Sequence, residues 1–272
     1  MIISERVISV AVFKCGYTCP SIQHERGQFE DIFASLLEPA AERVCTKTTK
    51  VKLNITGWDT VDQVYPPTLD GIDAIIVSGS PNGAYEDLEW IRALNAYLSY
   101  VYHHHPFVKL YGSCFGHQVI CRALFSDKGA VVERGPSRWE LGVHSITLAD
   151  QFAGRFSTLL QSRSLRLQFL HGDHVVLQQQ QLPQNIHIIG FTTQCQVQGI
   201  YQPGRILTYQ GHPEFDQFIS IECLKLVGQH VAWDAAFLDS AIAAAGKGDD
   251  AAIATDTILA FFLEPELTNY TN

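Results

Sequence analysis

The sequence has no run of Lys or Arg longer than a pair, and its formal net charge is −9 over 272 residues. A chain without a basic patch offers little to a phosphate backbone or an anionic membrane, so neither nucleic acid nor membrane is expected as a partner. No stretch approaches the roughly 20 apolar residues of a membrane helix. The opening MIISERVISVAVFKCG is too short an apolar run for a secretory leader, carries Glu5 and Arg6 in its middle and lacks a small-residue cleavage site. A cytoplasmic location is the expectation. Seven cysteines, at 15, 19, 45, 114, 121, 195 and 223, are odd in number and scattered. A chain this long builds a core without cross-links, so free thiols in a reducing compartment are expected. Cys15 and Cys19 form a CxxxC, but no second Cys/His pair at zinc spacing follows, and no metal is expected. Internal repeats and domain-separating linkers are also absent.

What is present reads as α/β, with 46% apolar residues available for one large core. Val7–Phe13 and Asp73–Val77 are short, continuous apolar runs, the pattern of strands buried on both faces. Val51–Ile55 alternates, and Phe107–Leu110 is a further short strand. Between them Phe29, Ile32, Phe33, Leu36 and Leu37 recur at helical spacing within 28–43, and 88–102 repeats that period. Residues 14–27 and 57–70 read as loops, and a turn over 111–116 leads into a helix over 117–125. Beyond Ser126, strands are expected at 131–133, 142–148, 165–170, 187–192, 196–201 and 205–209, forming an antiparallel edge on a mostly parallel sheet. The Gln run at 178–181 reads as a solvated loop. From Phe215 the chain is helical again, with a Gly-Lys-Gly break at 246–248.

The chemistry is concentrated in Gly112-Ser113-Cys114-Phe115-Gly116, where a strand meets a helix. Glycines two residues either side of a cysteine suit a turn so tight that bulky neighbours would clash. At the first turn of a helix, backbone N–H groups and the helix dipole favour thiolate over thiol. Cys121, on the same helix, reads as buried filler. A catalytic thiol needs a base, and the base needs an anion to hold its tautomer. Gly211-His212-Pro213-Glu214, between a strand and a helix, supplies His212 and Glu214 for those roles. The triplet His103, His104 and His105 reads as the solvated end of a helix, and His117 is expected to point away from the nucleophile. His171 and His174 are the rivals to His212. Ser78-Gly79-Ser80-Pro81 closes a buried strand, where a glycine-containing loop can aim N–H groups at an oxyanion together with Phe115 N–H.

Gly112-x-Cys114-x-Gly116-x-Gln118 followed at a distance by Gly211-His212-Pro213-Glu214 resembles the class I glutamine amidotransferase family. The Gly79-Ser80-Pro81 loop is similar to that family's oxyanion loop, with Ser in place of the commoner second Gly. The resemblance covers residues 7–230. It implies a flavodoxin-like central sheet with helices on both faces, a Cys114-His212-Glu214 triad, a γ-glutamyl thioester on Cys114 that water hydrolyses, and no cofactor. It also implies an oxyanion hole from the backbone of Gly79 and Phe115, and a substrate contact from Gln118. Ser80, Pro81, His171 and Asp173 are placed at the substrate on the same basis. Within the family, Ser-Gly-Ser-Pro followed by Ala84-Tyr85-Glu86-Asp87 and Trp90-Ile91 is similar to the free-standing plant γ-glutamyl peptidases and their fungal relatives, which act on glutathione-derived γ-glutamyl bonds. The expected organisation is an amidotransferase-like domain over 1–232 and a helical C-terminal extension over 233–272, the latter a dimer surface, a lid or a docking site.

Three readings follow. A stand-alone γ-glutamyl hydrolase acts on small-molecule γ-glutamyl compounds without help. A glutaminase subunit delivers ammonia to a separate synthetase partner. A non-catalytic binding protein keeps the fold, and its Cys114 is no more reactive than Cys121. A fourth possibility is the same fold recruited to unusual amide chemistry in a biosynthetic pathway.

Overall fold

A computed structural model describes residues 4–45, 48–135, 139–178 and 182–265. Its first half alternates strand and helix: β1 (Ser4–Lys14), α1 (Pro20–Arg26), α2 (Phe29–Val44), β2 (Thr49–Asp59), β3 (Ala74–Val77), α3 (Glu89–His104), β4 (Lys109–Ser113) and α4 (Phe115–Phe125). The middle is strand-rich: β5 (Ala130–Arg134), β6 (Glu140–Leu148), α5 (Asp150–Arg155), β7 (Ser164–His171), β8 (Asp173–Leu177), β9 (His187–Ile188), β10 (Gly190–Phe191), β11 (Ile200–Gln202) and β12 (Ile206–Tyr209). Three helices close the chain: α6 (Gln217–Val231), α7 (Ala235–Ala245) and α8 (Ala251–Phe262).

The central sheet runs β2-β1-β3-β4-β12-β11-β9. Its pairs are parallel from β2 across to β12 and antiparallel at β11 and β9. Strand alternation divides the core into two layers. Val10, Val12, Ile76, Tyr111 and Leu207 face α2 and α8, while Ala11, Phe13, Ile75, Val77 and Leu110 face α3 and α4. Each fully buried Phe or Leu in these layers contributes on the order of 2 kcal/mol. The arrangement is the expected mostly parallel sheet covered on both faces.

Several local expectations are corrected. Gly57–Asp59 belong to β2 rather than to the following loop, and Tyr111–Ser113 continue β4 rather than turning. Pro20–Arg26, in a stretch read as loop, is a helix; it buries only Ile22, so it carries no apolar period, and Pro at its start pre-sets φ. α5 and β8 were not anticipated. The run 187–192 breaks at the fully buried Ile189, because β9 pairs with β11 while β10 pairs with β6. Of 196–201, only the end is strand. The antiparallel edge on the central sheet is just β11 and β9. The remaining strands form a separate β10-β6-β7 sheet and a β5-β8 pair. Residues 179–181 of the Gln run lie outside the described residues.

Residues 233–265, part of the stretch expected as an extension, pack into the body. Ile258, Leu259, Phe261 and Phe262 of α8 are buried in the layer that holds Phe33 and Leu37 of α2. α7 lies against β6 where Gly142 adopts φ 73°, and a Cβ there would sit 2.6 Å from Ala244. Beyond α8, the buried Glu264 accepts hydrogen bonds from Tyr201 Oη at 2.6 Å, Gly204 N–H at 2.7 Å and Arg155 Nη2 at 2.8 Å. Among the described residues no helix is long and apolar enough to cross a membrane.

Candidate active site

β3, β4 and β12 run parallel and present their carboxyl ends side by side. Three loops leave that edge, carrying Gly79, Cys114 and His212. Cys114 joins β4 to α4 with φ 51° and ψ −105°, a left-handed conformation that non-glycine residues seldom adopt and surrounding packing must enforce. Both flanking glycines are in direct backbone contact. A Cβ on Gly112 would lie 2.5 Å from the Gly116 carbonyl, and one on Gly116 would lie 2.0 Å from Val77 O. The bend is held by Cys114 N–H donating to Tyr209 O at 2.9 Å and by Gln118 N–H donating to Cys114 O at 3.1 Å.

His212 is delivered by a different route. Its N–H donates to Gln168 O of β7 at 2.8 Å, a bridge that ties the residue after β12 to the second sheet. Pro213 then carries the chain to Glu214, whose Oε1 lies 2.8 Å from His212 Nδ1. The imidazole stacks on Phe215 with ring centroids 3.9 Å apart. Gly79 is also close, since a Cβ there would come within 3.2 Å of His212 Cε1. The ring is buried and tightly packed. Burial alone would push its pKa down. The Cys114 sulfur and the Glu214 carboxylate, acting as charges and as hydrogen-bond partners, outweigh burial and raise it to about 10. Cys114 Sγ lies beside the same segment of chain, 3.5 Å from the amide of Gln210, two residues before His212.

Sequence reading missed Ser113. Its hydroxyl lies 2.7 Å from Glu214 Oε1 and 2.9 Å from Oε2, and so holds the carboxylate that faces His212. Gln210 was also passed over. Fully buried, it places Nε2 3.5 Å from Cys114 Sγ. It lies just beyond the end of β12 at Tyr209, where strand alternation no longer says which way a side chain points.

The other anticipated residues fall into two groups. Gln118 is close to the centre, its Nε2 2.9 Å from Asp173 O and 3.0 Å from Gln210 Oε1. Phe115 opens α4, where its N–H belongs to the first-turn donors that the helix itself leaves without partners. Ser80 and Pro81 serve their own loop: Ser80 Oγ accepts from Asn82 N–H at 3.2 Å, and Pro81 packs on Gly16. His171 sits in a second buried cluster, with Nε2 3.0 Å from Glu140 Oε2 and Nδ1 2.9 Å from Asp173 O. Burial pushes the Glu140 carboxyl up, but His171, Thr192 and Gln198 outweigh it and hold it below its ordinary value. The Asp173 carboxyl is raised by burial, against the opposing effect of Arg134.

His117 turns from the nucleophile as expected and meets Thr208 Oγ1 at 2.8 Å. Full burial lowers its pKa to about 3, so it stays neutral. Cys121 is 2% exposed, and burial pushes its thiol far up. Among the described residues no group of three or more His, Cys, Asp or Glu side chains could hold a metal ion.

Against known proteins, the sequence model of the family "Glutamine amidotransferase class-I" matches residues 31–218. A glutamine amidotransferase-like protein of Schizosaccharomyces pombe is 28% identical over 211 residues, 76% of this chain and 79% of that protein. Gamma-glutamyl peptidase 3 of Arabidopsis thaliana is 29% identical over 68% of this chain and 73% of its own length. Among solved structures, a glutamine amidotransferase from Thermotoga maritima superposes with a TM-score of 0.67 at 16% identity, covering 94% of this chain and 99% of the other. That last likeness concerns the fold.

Proposed function

The chain belongs to the class I glutamine amidotransferase family, and from that premise we propose that it is a cysteine-dependent hydrolase of γ-glutamyl amide bonds. The observation that carries the proposal is the buried His212–Glu214 pair, raised in pKa by the neighbouring Cys114 sulfur on the strained bend between β4 and α4. The relatives named gamma-glutamyl peptidases support this substrate class over free glutamine alone.

In the proposed reaction the Cys114 sulfur attacks the γ-carbonyl carbon. The oxyanion so formed accepts hydrogen bonds from Gly79 and Phe115 N–H. His212, protonated on the ring nitrogen that faces the sulfur, gives that proton to the departing amine as the C–N bond breaks. A γ-glutamyl thioester on Cys114 remains. His212, now neutral, takes a proton from water as that water attacks the thioester; the C–S bond breaks, the sulfur leaves as the thiolate beside the reprotonated His212, and glutamate is released. Glu214, steadied by Ser113, holds Nδ1–H throughout. Both hydrogens of Gln118 Nε2 are committed to Asp173 O and Gln210 Oε1, so only its Oε1 can meet a substrate, which must present a donor such as the glutamyl ammonium. Ser80, Pro81, His171 and Asp173 shape the wall around that group. No cofactor enters the scheme.

Two outcomes follow. His212 must keep its proton to release the amine, so kcat/KM is expected to hold through about pH 9 and fall as the imidazolium is lost near pH 10. An alkaline limb near the ordinary imidazole value of about 6.5 contradicts the scheme. Gly79→Ala pushes a methyl against His212 Cε1, so kcat/KM is expected to drop by about tenfold with little change in melting temperature. Unchanged kinetics would remove Gly79 from the site.

The direct test assays the purified chain alone for glutamate release from glutamine and a panel of γ-glutamyl peptides and conjugates. Release without a second protein supports the hydrolase. Silence until a synthetase is added identifies a glutaminase subunit. Equal iodoacetamide labelling of Cys114 and Cys121 points to a non-catalytic protein.

A further inference from the structure

Gln210, two residues before His212 and fully buried, sits at the end of a hydrogen-bonded line whose polarity is set at its far end. The line starts at Asp173 O, a backbone carbonyl that can only accept. The Gln118 atom 2.9 Å away must therefore be its NH2 group, and that same NH2 lies 3.0 Å from the Gln210 amide. Facing a donor, Gln210 presents its oxygen there. Its own NH2 is left to point the other way, where Nε2 lies 3.5 Å from Cys114 Sγ.

Asp173 O lies 2.9 Å from His171 Nδ1, and the other ring nitrogen of His171 lies 3.0 Å from the buried Glu140, to which Thr192 Oγ1 donates at 2.6 Å and Gln198 Nε2 at 2.8 Å. Gln210 is held by its main chain too, its N–H donating to Gln198 O at 2.9 Å. Flipping Gln118 would set its oxygen against the Asp173 carbonyl, and flipping Gln210 would set its NH2 against that of Gln118, so neither can turn without a buried like-on-like contact.

We propose that Gln210 is a further catalytic residue, whose amide N–H donates to the Cys114 sulfur and stabilises it as a thiolate, with Gln118 and Asp173 O fixing the direction of that donor. The inference rests on Cys114 being the nucleophile. A carboxamide suits the task because it does not titrate. It favours the charged sulfur at every working pH and never competes with His212 for the proton. His212 supplies the mobile proton and Gln210 the permanent donor, on the same short segment of chain. The same arrangement gives the His171–Glu140 pair a purpose: it steadies the carbonyl from which the line takes its polarity.

The test is the pH dependence of iodoacetamide alkylation of Cys114, read by peptide mass in the wild-type chain and in Gln210→Glu. Glutamate keeps the volume and still accepts from Gln118, but it offers the sulfur a negative charge instead of an N–H. The expected result is at least about tenfold slower alkylation at neutral pH and an alkylation profile displaced upward by about one pH unit. A second variant, Gln118→Leu, leaves Gln210 in place but removes the donor that orients it. It is expected to slow alkylation by a smaller factor, with the melting temperature reporting that the chain is folded. Profiles superimposable on wild type in both folded variants would overturn the assignment. Should Cys114→Ala keep full γ-glutamyl hydrolysis, the nucleophile itself is wrong, and that failure is distinct from a Gln210 variant that leaves the thiol unchanged.

Discussion

Cys114→Ala is expected to lower turnover of every γ-glutamyl compound that the wild-type chain accepts by at least about 10³-fold, leaving no more than background hydrolysis. The size of the effect follows from the division of labour. In the proposed reaction His212 and Glu214 manage a proton, and the loop N–H groups meet an oxyanion, but only the sulfur forms the bond to carbon. Residues that act as one unit are strongly non-additive, so adding His212→Gln to Cys114→Ala should cost little more. Stability should change little, since the sulfur is small and sits at 8% exposure beside the surface of the site. Parallel assays of glutamate release and circular dichroism separate lost chemistry from lost fold. Residual activity within tenfold of wild type would mean that another group attacks the substrate.

Gly116→Ala is expected to be the most damaging substitution outside the reacting groups, destabilising the chain by at least about 4 kcal/mol or preventing soluble expression. The added Cβ would lie 2.0 Å from Val77 O and 2.8 Å from Val77 C, so the obstacle is the backbone of a central strand, which has nowhere to go. Relief requires α4 to lift from β3, and that in turn unmakes the bend at Cys114. Gly154→Ala is the matched control. Gly154 lies within α5 with nothing within 4 Å of its would-be Cβ, so alanine there should be neutral or stabilising by about 0.5–1 kcal/mol. Thermal melts of the two variants give the comparison, and similar melting temperatures would contradict the close-packed bend.

Much of the layout was legible because local chemistry and global architecture coincide at the elbow. A strand, two glycines, a cysteine and a helix lie within a few residues, so the pattern itself demands a sharp turn. The expected proximity of Cys114 to His212 needed one more fact, that β4 and β12 are parallel neighbours, and this follows from strand order rather than from any residue. The second buried cluster was not legible. Glu140, His171, Thr192 and Gln198 meet because β6, β7 and the loop beyond β10 converge, and nothing near any one of them announces the others. Ser113 illustrates the same limit: inside the motif it looked like a spacer, and only the fold brings the Glu214 carboxylate to it. The role of α8 was within reach. Ala251–Phe262 is apolar nearly all round, and a helix of that kind is buried rather than laid on a surface.

The central claim is that a sulfur on a strained bend becomes acylated. Rapid-quench intact-mass spectrometry during turnover of a γ-glutamyl substrate tests it most directly, with peptide mapping to place the adduct. The account predicts a mass gain of one glutamyl residue, carried by the peptide containing Cys114 and absent from Cys114→Ala. Turnover with no adduct within the first catalytic cycle, or an adduct on a different residue, would contradict it.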